Sequence, residues 1–471
     1  MRPVRTHNSA PVDVADIVYD ARQVTPGTLF VCVPGHKADG HDFAPEAVAA
    51  GAVALIVERP LDLAVPQLVV ADARVAMALA ADAFFGHPTR ELEVAGVTGT
   101  NGKTTTAFLL FAILAAAGRR PGLLGTIENR VGGERRAAVR TTAEAIDLQR
   151  TLREMVDAGD RSCALEATSH GSALKRLLGV RFRALVFTNL SQDHLDFHGT
   201  LEDYWEAKRR LFVEPDVDGN RPPAAVNVGD EHGRQLAEEL RGLGGELVTF
   251  SLADAGGLEL TGAGSRFRYG GLDLRTRLRG RFNVENVLGA VAAARLLAVE
   301  EKAIAGGVEH LGGVPGRFEA VDEGQPFTVL VDYAHTPEAL ANVLREARGL
   351  TTGRLICVFG CGGDRDRAKR PLMGRAASEL ADAVLVTSDN PRSENPLAII
   401  QEILPGVDGR AEVEPDRAEA IARALELARD SDVVVIAGKG HEQGQEFSDR
   451  TIPFDDREVA REALRKLGAP A

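Results

Sequence analysis

One segment constrains the fold more than any other. It is the glycine-rich stretch Gly96–Thr106, which reads GVTGTNGKTTT. The apolar run Leu92–Thr98 leads into it and the helical pattern Lys103–Ala117 leaves it. A strand that turns through glycines into a helix presents backbone N–H groups and a helix N-terminus to an anion. The segment therefore predicts a phosphate-binding loop in which Lys103 supplies positive charge and the Thr104 hydroxyl can bind Mg²⁺.

The spacing of this loop is a variant. The common pattern G-x4-G-K-[ST] has a glycine five residues before the glycine that precedes the lysine. Here Val97 stands five residues before Gly102. A glycine-rich turn with an incidental lysine is the alternative interpretation. The strand, the Lys-Thr-Thr sequence and the following helix together favour the phosphate-binding loop.

Apolar strand-like runs alternate with helical patterns along most of the chain, which predicts an α/β fold. The length, 471 residues, is typical of about three domains. Glycine-rich breaks at Gly86–Pro88 and Gly312–Gly316 separate the alternating blocks, and Gly256–Leu278 predicts antiparallel hairpins. We expect a central P-loop-type, mostly parallel sheet between an N-terminal α/β domain and a C-terminal Rossmann-like α/β domain. The expected domains are residues 1–88, 89–314 and 315–471.

Composition excludes several classes of protein. The chain has 68 acidic and 55 basic residues and a net charge of −13, whereas proteins that coat nucleic acid are normally basic. We expect no nucleic-acid partner, although local basic clusters can still bind an anionic small molecule. No apolar stretch reaches the ~18 residues of a membrane span, and no signal sequence is evident. We expect a cytoplasmic monomer that does not span a membrane, with free thiols at Cys32, Cys163, Cys357 and Cys361.

Further polar motifs follow the loop in chain order. They are Glu166–His170, Thr188–Asp196, Tyr204–Lys208, Arg281–Asn286, Gly316–Glu319, Asp332–Pro337, Gly360–Arg365, Asp389–Arg392 and Gly438–Glu442. With the variant loop, this series resembles the Mur ligases, which make the peptide stem of peptidoglycan. Folylpolyglutamate synthases share that superfamily. The resemblance covers the whole chain and is strongest to members that add the third amino acid to UDP-N-acetylmuramoyl-L-Ala-D-Glu (UDP-MurNAc-L-Ala-D-Glu).

The resemblance implies an ATP-dependent amide ligase of peptidoglycan synthesis, and with it of cell-wall growth, cell shape and division. ATP converts a carboxylate into an acyl phosphate, an amine attacks it, and ADP and phosphate are released. Two anions, the γ-phosphate and the carboxylate, must then be held close together, which requires cations. Lys103 and Mg²⁺ are the expected sources of that charge.

The resemblance also implies the catalytic residues Lys103, Glu166, His194 and Lys208. Glu166 and Thr104 would bind a first Mg²⁺, and His194 a second, together with Lys208 as a carbamate formed with CO₂. From the residues alone, Glu166 can instead be a solvated strand-end carboxylate, His194 part of a surface loop and Lys208 a solvated helix lysine. Carbamylation requires a partly neutral amine and hence a perturbed environment. The ATP-binding residues implied are Gly99, Thr100, Asn101, Gly102, Lys103, Thr104, Thr105, Asn283, Asn286, Arg317 and Asp332.

Asn283 has an alternative interpretation, because it can also cap the helix that follows it.

On the UDP-sugar side, the sequence departs from the family pattern at two positions. Ala21 stands where the family usually has serine, and one contact to the nucleotide-sugar is expected to be lost with that hydroxyl. Thr168 also replaces a more familiar serine but keeps the hydroxyl. The UDP-sugar-binding residues implied are His36, Lys37, Ala38, Thr141, Thr142, Thr168, Ser169 and Arg176.

The segment Asp389–Arg392 decides the third amino acid. It follows the predicted strand Ala383–Thr387, and its arginine offers a bidentate partner for a carboxylate. Meso-diaminopimelate carries such a carboxylate on its second amino-acid head, whereas lysine and ornithine carry a lone ammonium that Arg392 would repel. The resemblance implies the same choice. The amino-acid-binding residues implied are Arg365, Asp389, Asn390, Pro391, Arg392, Gly438 and Glu442.

Several alternatives stay open at this point. Arg392 can be a surface arginine that stabilises a turn, and the acceptor amino acid can be L-lysine or L-ornithine. A folylpolyglutamate synthase-like ligase would share the loop but not Asp389–Arg392. A P-loop binding module would bind nucleotide without ligase chemistry.

Overall fold

The computed structural model of the protein describes residues 5–35, 38–261, 263–409 and 411–468. Three α/β units follow one another along the chain, each built around its own sheet. The predicted fold class is therefore confirmed. His36 and Lys37, predicted to contact the nucleotide-sugar, lie outside the described residues.

The first unit has a five-stranded sheet in the order β1-β5-β4-β3-β2, parallel except for β1. Helix α2 begins where the Asp72 side chain accepts the Val75 N–H, a normal N-cap. Its alanines pack against this sheet and against the start of α4 in the second unit. The elements are β1 (Arg5–His7), β2 (Asp16–Val18), β3 (Thr28–Val31), α1 (Ala44–Ala49), β4 (Ala52–Val57), β5 (Gln67–Val69) and α2 (Ala73–Phe84).

The second unit has an eight-stranded sheet in the order β13-β12-β11-β6-β10-β7-β8-β9. Strand β8 is antiparallel to both of its neighbours, β7 and β9, and the other neighbouring strands are parallel. The elements are β6 (Glu93–Thr98), α3 (Lys103–Ala116), β7 (Pro121–Leu124), β8 (Glu128–Val131), β9 (Glu134–Ala137), α4 (Ala145–Asp157), β10 (Ser162–Glu166), α5 (Ser169–Ala173), β11 (Phe182–Phe187), α6 (Leu195–His198), α7 (Leu201–Val213), β12 (Ala224–Asn227), α8 (Glu231–Gly242), β13 (Leu247–Phe250), β14 (Gly256–Thr261), β15 (Gly264–Tyr269), β16 (Leu272–Thr276), α9 (Arg281–Leu296) and α10 (Glu301–His310).

The position of β6 between β10 and β11 brings three loops together. Glu166 at the end of β10 is in register with Val97, and Phe187 at the end of β11 is in register with Thr98. Since parallel strands end at the same edge, the loops after all three lie side by side. Helix α3 is apolar on most of its surface because it is buried against the sheet and against α9 and α10. The predicted hairpins form a separate antiparallel sheet, β14-β15-β16.

The third unit has a six-stranded sheet in the order β17-β18-β22-β19-β20-β21, with only β17 antiparallel. Apolar clusters cover both faces, as expected for a Rossmann-like sheet. The elements are β17 (Glu319–Val321), β18 (Thr328–Asp332), α11 (Pro337–Arg348), β19 (Leu355–Phe359), α12 (Lys369–Leu380), β20 (Ala383–Val386), α13 (Pro396–Ile403), β21 (Ala411–Val413), α14 (Arg417–Leu427), β22 (Val433–Ala437), β23 (Gly444–Glu446), β24 (Thr451–Pro453) and α15 (Asp456–Gly468).

Two expectations from composition bear on the described part of the chain. All four cysteines are buried and unpaired, as predicted. Among the residues that the structure describes, no helix combines the length and the hydrophobicity needed to cross a lipid bilayer.

Candidate active site

The predicted phosphate-binding loop joins β6 to α3. Gly99 has φ 145° and Gly102 has φ 86°, conformations that side chains rarely adopt. A Cβ on Gly99 would lie 1.9 Å from Thr188 Oγ1, and one on Gly102 would lie 2.2 Å from Asn286 Oδ1. The Thr188 hydroxyl also donates to the Asn101 carbonyl at 2.6 Å. The loop therefore needs both glycines, and the neighbouring strand fixes its path.

Two lysines converge on this loop. Lys103 Nζ donates to the carbonyls of Gly99 and Thr100 at 3.0 and 2.7 Å. Lys208, on α7, donates to the same Gly99 carbonyl at 2.8 Å and lies 4.3 Å from the centre of the Tyr204 ring. Burial lowers the pKa of both ammonium groups, and the charge of Lys103 lowers that of Lys208 further. Lys208 is only 1% exposed, so its interpretation as a solvated helix lysine is wrong.

Glu166 is the last residue of β10 and is 1% exposed. Its Oε2 accepts the hydroxyls of Thr104 and Thr126, both at 3.0 Å, and its Oε1 accepts the Thr126 N–H at 2.8 Å. The Thr126 hydroxyl also lies 3.0 Å from Thr141 Oγ1. The interpretation of Glu166 as a solvated carboxylate is therefore wrong. The carboxylate and hydroxyl oxygens form the kind of ligand set that Mg²⁺ prefers.

His194 follows β11 with φ 54°, and its Nε2 lies 3.4 Å from the Asp193 carboxylate. Its ring meets the His170 ring edge-on at 4.7 Å between centroids. Burial lowers the pKa of His194 to about 4, against the opposing charge of Asp193. The imidazole is therefore neutral at physiological pH, the form that can ligate a metal. The Tyr204 ring, which contacts Lys208, lies 6.0 Å from the His194 ring.

A cavity of about 260 Å³ opens beside the loop, and α9 and α11 form part of its wall. Asn286 lines it and donates to Asn283 Oδ1 at 3.0 Å, while Asn283 Nδ2 donates to the Arg279 carbonyl at 2.8 Å. Helix α9 begins at Arg281 with Gly280 as its N-cap, so the interpretation of Asn283 as the cap is wrong. The cavity wall includes the predicted residues Asn101, Gly102, Thr105, Asn286, Arg317 and Asp332.

Arg317 brings the third unit into direct contact with the loop. Its Nη2 donates to Thr104 Oγ1 at 3.2 Å, and its guanidinium lies 4.5 Å from the centre of the Tyr333 ring. Asp332, at the end of β18, accepts two backbone N–H groups at 2.7 and 2.8 Å. Burial raises the pKa of Asp332 to about 6, and the positive charge of Arg317 opposes this rise. One guanidinium thus links the two units beside the cavity of about 260 Å³.

The predicted UDP-sugar residues of the second unit surround the end of β10. The Thr142 hydroxyl donates to the Glu166 carbonyl at 2.7 Å and accepts the Thr168 hydroxyl at 2.9 Å. Thr168 also caps α5, so threonine performs the local role of the more familiar serine. Arg176 donates to the Thr142 carbonyl at 3.1 Å, and Ser169 Oγ lies 3.0 Å from a histidine of α6. These residues therefore form one hydrogen-bonded patch that continues from Glu166.

The predicted residues of the first unit lie in a separate turn. The Ala38 carbonyl accepts the Gly35 N–H at 3.0 Å. Near Ala21, Arg22 forms an ion pair with Asp20 at 2.6 Å.

A larger cavity, of about 620 Å³, lies between the second and third units. On one side it is lined by His170, Asp193 and His194, next to the lysines and the loop. Pro391 belongs to the same turn as Arg392 but is not part of the cavity wall. The predicted amino-acid residues that line the other side are Arg365, Asp389, Asn390, Arg392, Gly438 and Glu442.

Arg392 is held in place by its own surroundings. Its Nε donates to Glu446 Oε2 at 2.8 Å and its Nη1 donates to the Gly363 carbonyl at 2.8 Å. Its side chain keeps 24% exposure. Arg392 therefore stabilises the turn, as the alternative interpretation has it, and also lines the cavity.

Lys439 is a residue that the sequence analysis missed. It is fully buried, and its Nζ donates to Asn390 Oδ1 at 2.8 Å and to Glu442 Oε2 at 2.9 Å. Asn390 Nδ2 donates to the same Glu442 oxygen at 2.7 Å. Lys439 thus orients two side chains of the cavity wall. Its position inside the motif Gly438–Glu442 was the available signal. Thr126 and Tyr333 were also missed.

Comparison with known proteins identifies the family. Three family models match the chain. They are described as "Mur ligase family, catalytic domain" (residues 13–101), "Mur ligase middle domain" (residues 97–294) and "Mur ligase, glutamate ligase domain" (residues 316–440). The chain belongs to the Mur ligase family.

Individual Mur ligases extend the comparison. The UDP-N-acetylmuramoyl-L-alanyl-D-glutamate–2,6-diaminopimelate ligase of Solibacter usitatus is 47% identical and covers 98% of this chain and 95% of its own length. A solved structure of an enzyme with the same name has a TM-score of 0.70 and 35% identity, and covers 97% of this chain and 96% of that one. Folylpolyglutamate synthase of Mycobacterium tuberculosis, complexed with ADP and AMPPCP, has a TM-score of 0.65 over 84% of this chain and 96% of its own. At 18% identity that likeness shows the fold alone.

The Mur ligase site fits Mg²⁺ only together with ligands from a substrate. Within the described ranges no group of three or more His, Cys, Asp or Glu side chains is arranged to hold a metal ion. Mg²⁺ usually keeps several waters and binds one or two carboxylates plus substrate phosphates. Glu166 and Thr104, 3.0 Å apart beside the phosphate-binding loop, match that requirement.

Proposed function

We propose that the chain joins meso-diaminopimelate to UDP-MurNAc-L-Ala-D-Glu in an ATP-dependent reaction that releases ADP and phosphate. The observation that carries this proposal is the cavity of about 620 Å³. It has the loop-side residues Asp193 and His194 on one wall and Arg392 and Glu442 on the other. A substrate in this cavity can reach the nucleotide with one end and the wall that contains Arg392 and Glu442 with the other. The names of the closely related enzymes support the same reaction.

The residues of the chain would act mainly by charge and position. Lys103 and Arg317 approach the loop from two units, and their positive charges would hold the γ-phosphate and the substrate carboxylate within attack distance. Bound Mg²⁺ would add Lewis acidity at the same oxygens. Glu166 and Thr104 would hold the first ion, and neutral His194 is suited to a second. Closure of the units around bound substrates would keep water from the acyl phosphate.

Selection of the amino acid would rest on complementary charges at the far wall of the larger cavity. This wall consists of Arg365, Asp389, Asn390, Arg392, Gly438 and Glu442. The Arg392 guanidinium would bind the distal carboxylate of diaminopimelate, and the Glu442 carboxylate would bind its distal ammonium. Lys439 and Asn390 hold Glu442 through Oε2. L-lysine or L-ornithine would offer Arg392 no distal carboxylate to bind.

We also propose that Lys208 carries a carbamate. Its neutral amine would form an N–C bond with CO₂ and release one proton to solvent, which leaves an anionic carbamate that would bind Mg²⁺. Burial and a lowered pKa favour the neutral amine that this step requires. Mass spectrometry under native conditions tests the modification. A mass increase that matches CO₂ in the unmodified chain and is absent from Lys208→Met would support it, and equal masses would contradict it.

The three units would divide the substrates among them. Residues 1–88 would bind the UDP-sugar, with Ala38 and the neighbouring His36 and Lys37. Residues 89–314 would bind ATP and the peptide side of the sugar, and residues 315–471 the amino acid. We further propose that the enzyme acts as a monomer in the cytoplasm, where ATP is available to it.

The test is an ADP-release assay with purified chain, ATP, Mg²⁺ and UDP-MurNAc-L-Ala-D-Glu. We expect ADP release to depend on both the nucleotide-sugar and meso-diaminopimelate. A tetrahydrofolate substrate with glutamate serves as the control for the synthase alternative. Turnover with the folate pair, or nucleotide binding without amino-acid-dependent turnover, would contradict the proposal.

A further inference from the structure

Helix α9 has an unusual N-terminus. Its N-cap is Gly280, with φ 87°, which has no side chain that could accept a helix N–H. The first N–H of the helix, on Arg281, instead donates to Glu346 Oε2 at 2.7 Å. Glu346 belongs to α11 of the third unit, 65 residues further along the chain. A carboxylate at this position accepts a helix N–H that would otherwise lack a partner, and its negative charge interacts favourably with the helix dipole.

The approach of the two helices is close. A Cβ at Gly280 would lie 3.2 Å from Glu346 Oε2, which is tighter than ordinary contact. Phe282, in the first turn of α9, meets Phe318 of the third unit edge-on at 5.3 Å between ring centroids, and packs against the core of that unit. The Glu346 side chain is only 16% exposed. The contact is therefore a packed junction between the two units.

This junction joins two walls of the nucleotide cavity. Helix α9 contributes Asn286 to that cavity, and α11 contributes Asn342 and Val343 among other residues. Glu346 lies one helical turn beyond Asn342. The hydrogen bond from Arg281 to Glu346 thus fixes the separation of the two helices close to the cavity.

We infer that Glu346 is a positioning residue for nucleotide binding. By capping α9 from the third unit, it sets the distance between α9 and α11 and with it the width of the cavity. The inference rests on the proposed function, since it takes the cavity of about 260 Å³ to be the ATP site. Glu346 itself lies outside the cavity wall and would act through α9.

The experiment compares Glu346→Ala, Glu346→Gln and the unmodified chain, with Glu379→Ala on the exposed face of α12 as the matched control. Calorimetric titration with ADP measures nucleotide affinity without turnover. Steady-state assays give separate KM values for ATP, the nucleotide-sugar and the amino acid. We expect Glu346→Ala to raise the Kd for ADP and the KM for ATP about fivefold, in line with the loss of a helix cap, and to leave the other two KM values unchanged.

Glu346→Gln keeps an acceptor oxygen, and we expect it to restore most of the lost affinity. Glu379→Ala should match the unmodified chain. If the chain binds ADP and Glu346→Ala binds it equally well, or if all three KM values rise together with a fall in Tm, the inference is wrong and the proposed function stands. If the unmodified chain binds no ADP, both are wrong.

Discussion

The two cavities of this Mur ligase differ in the groups that accept hydrogen bonds from their basic side chains. Beside the cavity proposed for the nucleotide, the Nζ atoms of Lys103 and Lys208 donate to backbone carbonyls of the loop. At the far wall of the larger cavity, Lys439 donates to Glu442 and Arg392 donates to Glu446. Carbonyl oxygens carry no net charge, so only the more distant carboxylates of Glu166 and Asp193 offset the charge of Lys103. At the far wall, carboxylates pair directly with the cations.

This difference matches the ligands proposed for the two regions. A polyphosphate needs net positive charge, and a buried ammonium group such as that of Lys103, whose pKa burial lowers, is stabilised by its arrival. A zwitterionic amino-acid head needs a wall with alternating charge and fixed directions. The comparison therefore predicts that substitutions in the first region act on catalysis as a whole and those in the second act on one substrate.

The largest effect is expected at Lys103. Lys103→Met keeps most of the length of the side chain but removes the charge that is proposed to hold the phosphates. We expect kcat to fall by about a thousandfold, as when a positioned electrostatic group is lost. The measurement is ADP release at saturating concentrations of all three substrates. Lys302→Met, on the exposed surface of α10, is the matched control and should behave like the unmodified chain. A loss of kcat below tenfold in Lys103→Met would show that the charge of Lys103 is not needed for catalysis.

Arg392 should show the substrate-specific effect. We expect Arg392→Ala to raise the KM for meso-diaminopimelate about a hundredfold, because a bidentate partner of its carboxylate is lost. The KM for ATP should change less than threefold. Arg392→Lys should recover little, since an ammonium cannot form the paired contact. Equal increases of both KM values in Arg392→Ala would show that the two regions are not separable in this way.

Asp332 gives a prediction for pH. Burial raises its pKa from 3.8 to about 6, so the folded protein binds this proton more tightly than the unfolded chain. The resulting stabilisation is complete below pH ~4 and is lost as the pH rises through 6. Asp332→Asn has no such proton. We expect its stability relative to the unmodified chain to increase by on the order of 2 kcal/mol between pH 4 and pH 7. Urea unfolding at both pH values measures this, and a constant or decreasing difference would contradict the buried carboxyl.

The smallest effect is expected at Thr126, which orients Glu166 through its hydroxyl. We expect Thr126→Val to lower kcat/KM about tenfold and to raise the Mg²⁺ concentration needed for half-maximal rate. Thr126→Ser keeps the hydroxyl and should retain most of the activity. If Thr126→Val and the unmodified chain have the same rate and the same Mg²⁺ dependence, Thr126 does not orient Glu166 for catalysis.

Much of the fold and of the loop was predictable because the signals are local. The strand, glycines and helix around Lys103 adjoin one another in the sequence, and the apolar runs of the parallel strands are long. The shortest strands, such as β1, β2 and β17, have three residues each and were not predicted. Such edge strands are defined by their partner in the sheet rather than by their own pattern.

The rest of the site depends on contacts that sequence spacing does not show. Lys208 lies in a polar stretch of α7 and is buried only because the loop and Tyr204 cover it. Arg392 meets Glu446 across 54 residues. Asn283 has the residue type of a helix cap, yet a carboxylate from another unit performs that role. In each case the role of the residue depends on tertiary contacts, and the sequence alone is compatible with more than one role.

The most direct test of the account is a competition among acceptors. The chain is given ATP, Mg²⁺, UDP-MurNAc-L-Ala-D-Glu and an equimolar mixture of meso-diaminopimelate, L-lysine and L-ornithine, and the products are resolved by mass spectrometry. We expect almost exclusively the diaminopimelate tripeptide from the unmodified chain, and a loss of that preference in Arg392→Ala. A product mixture from the unmodified chain, or one dominated by lysine or ornithine, would contradict it.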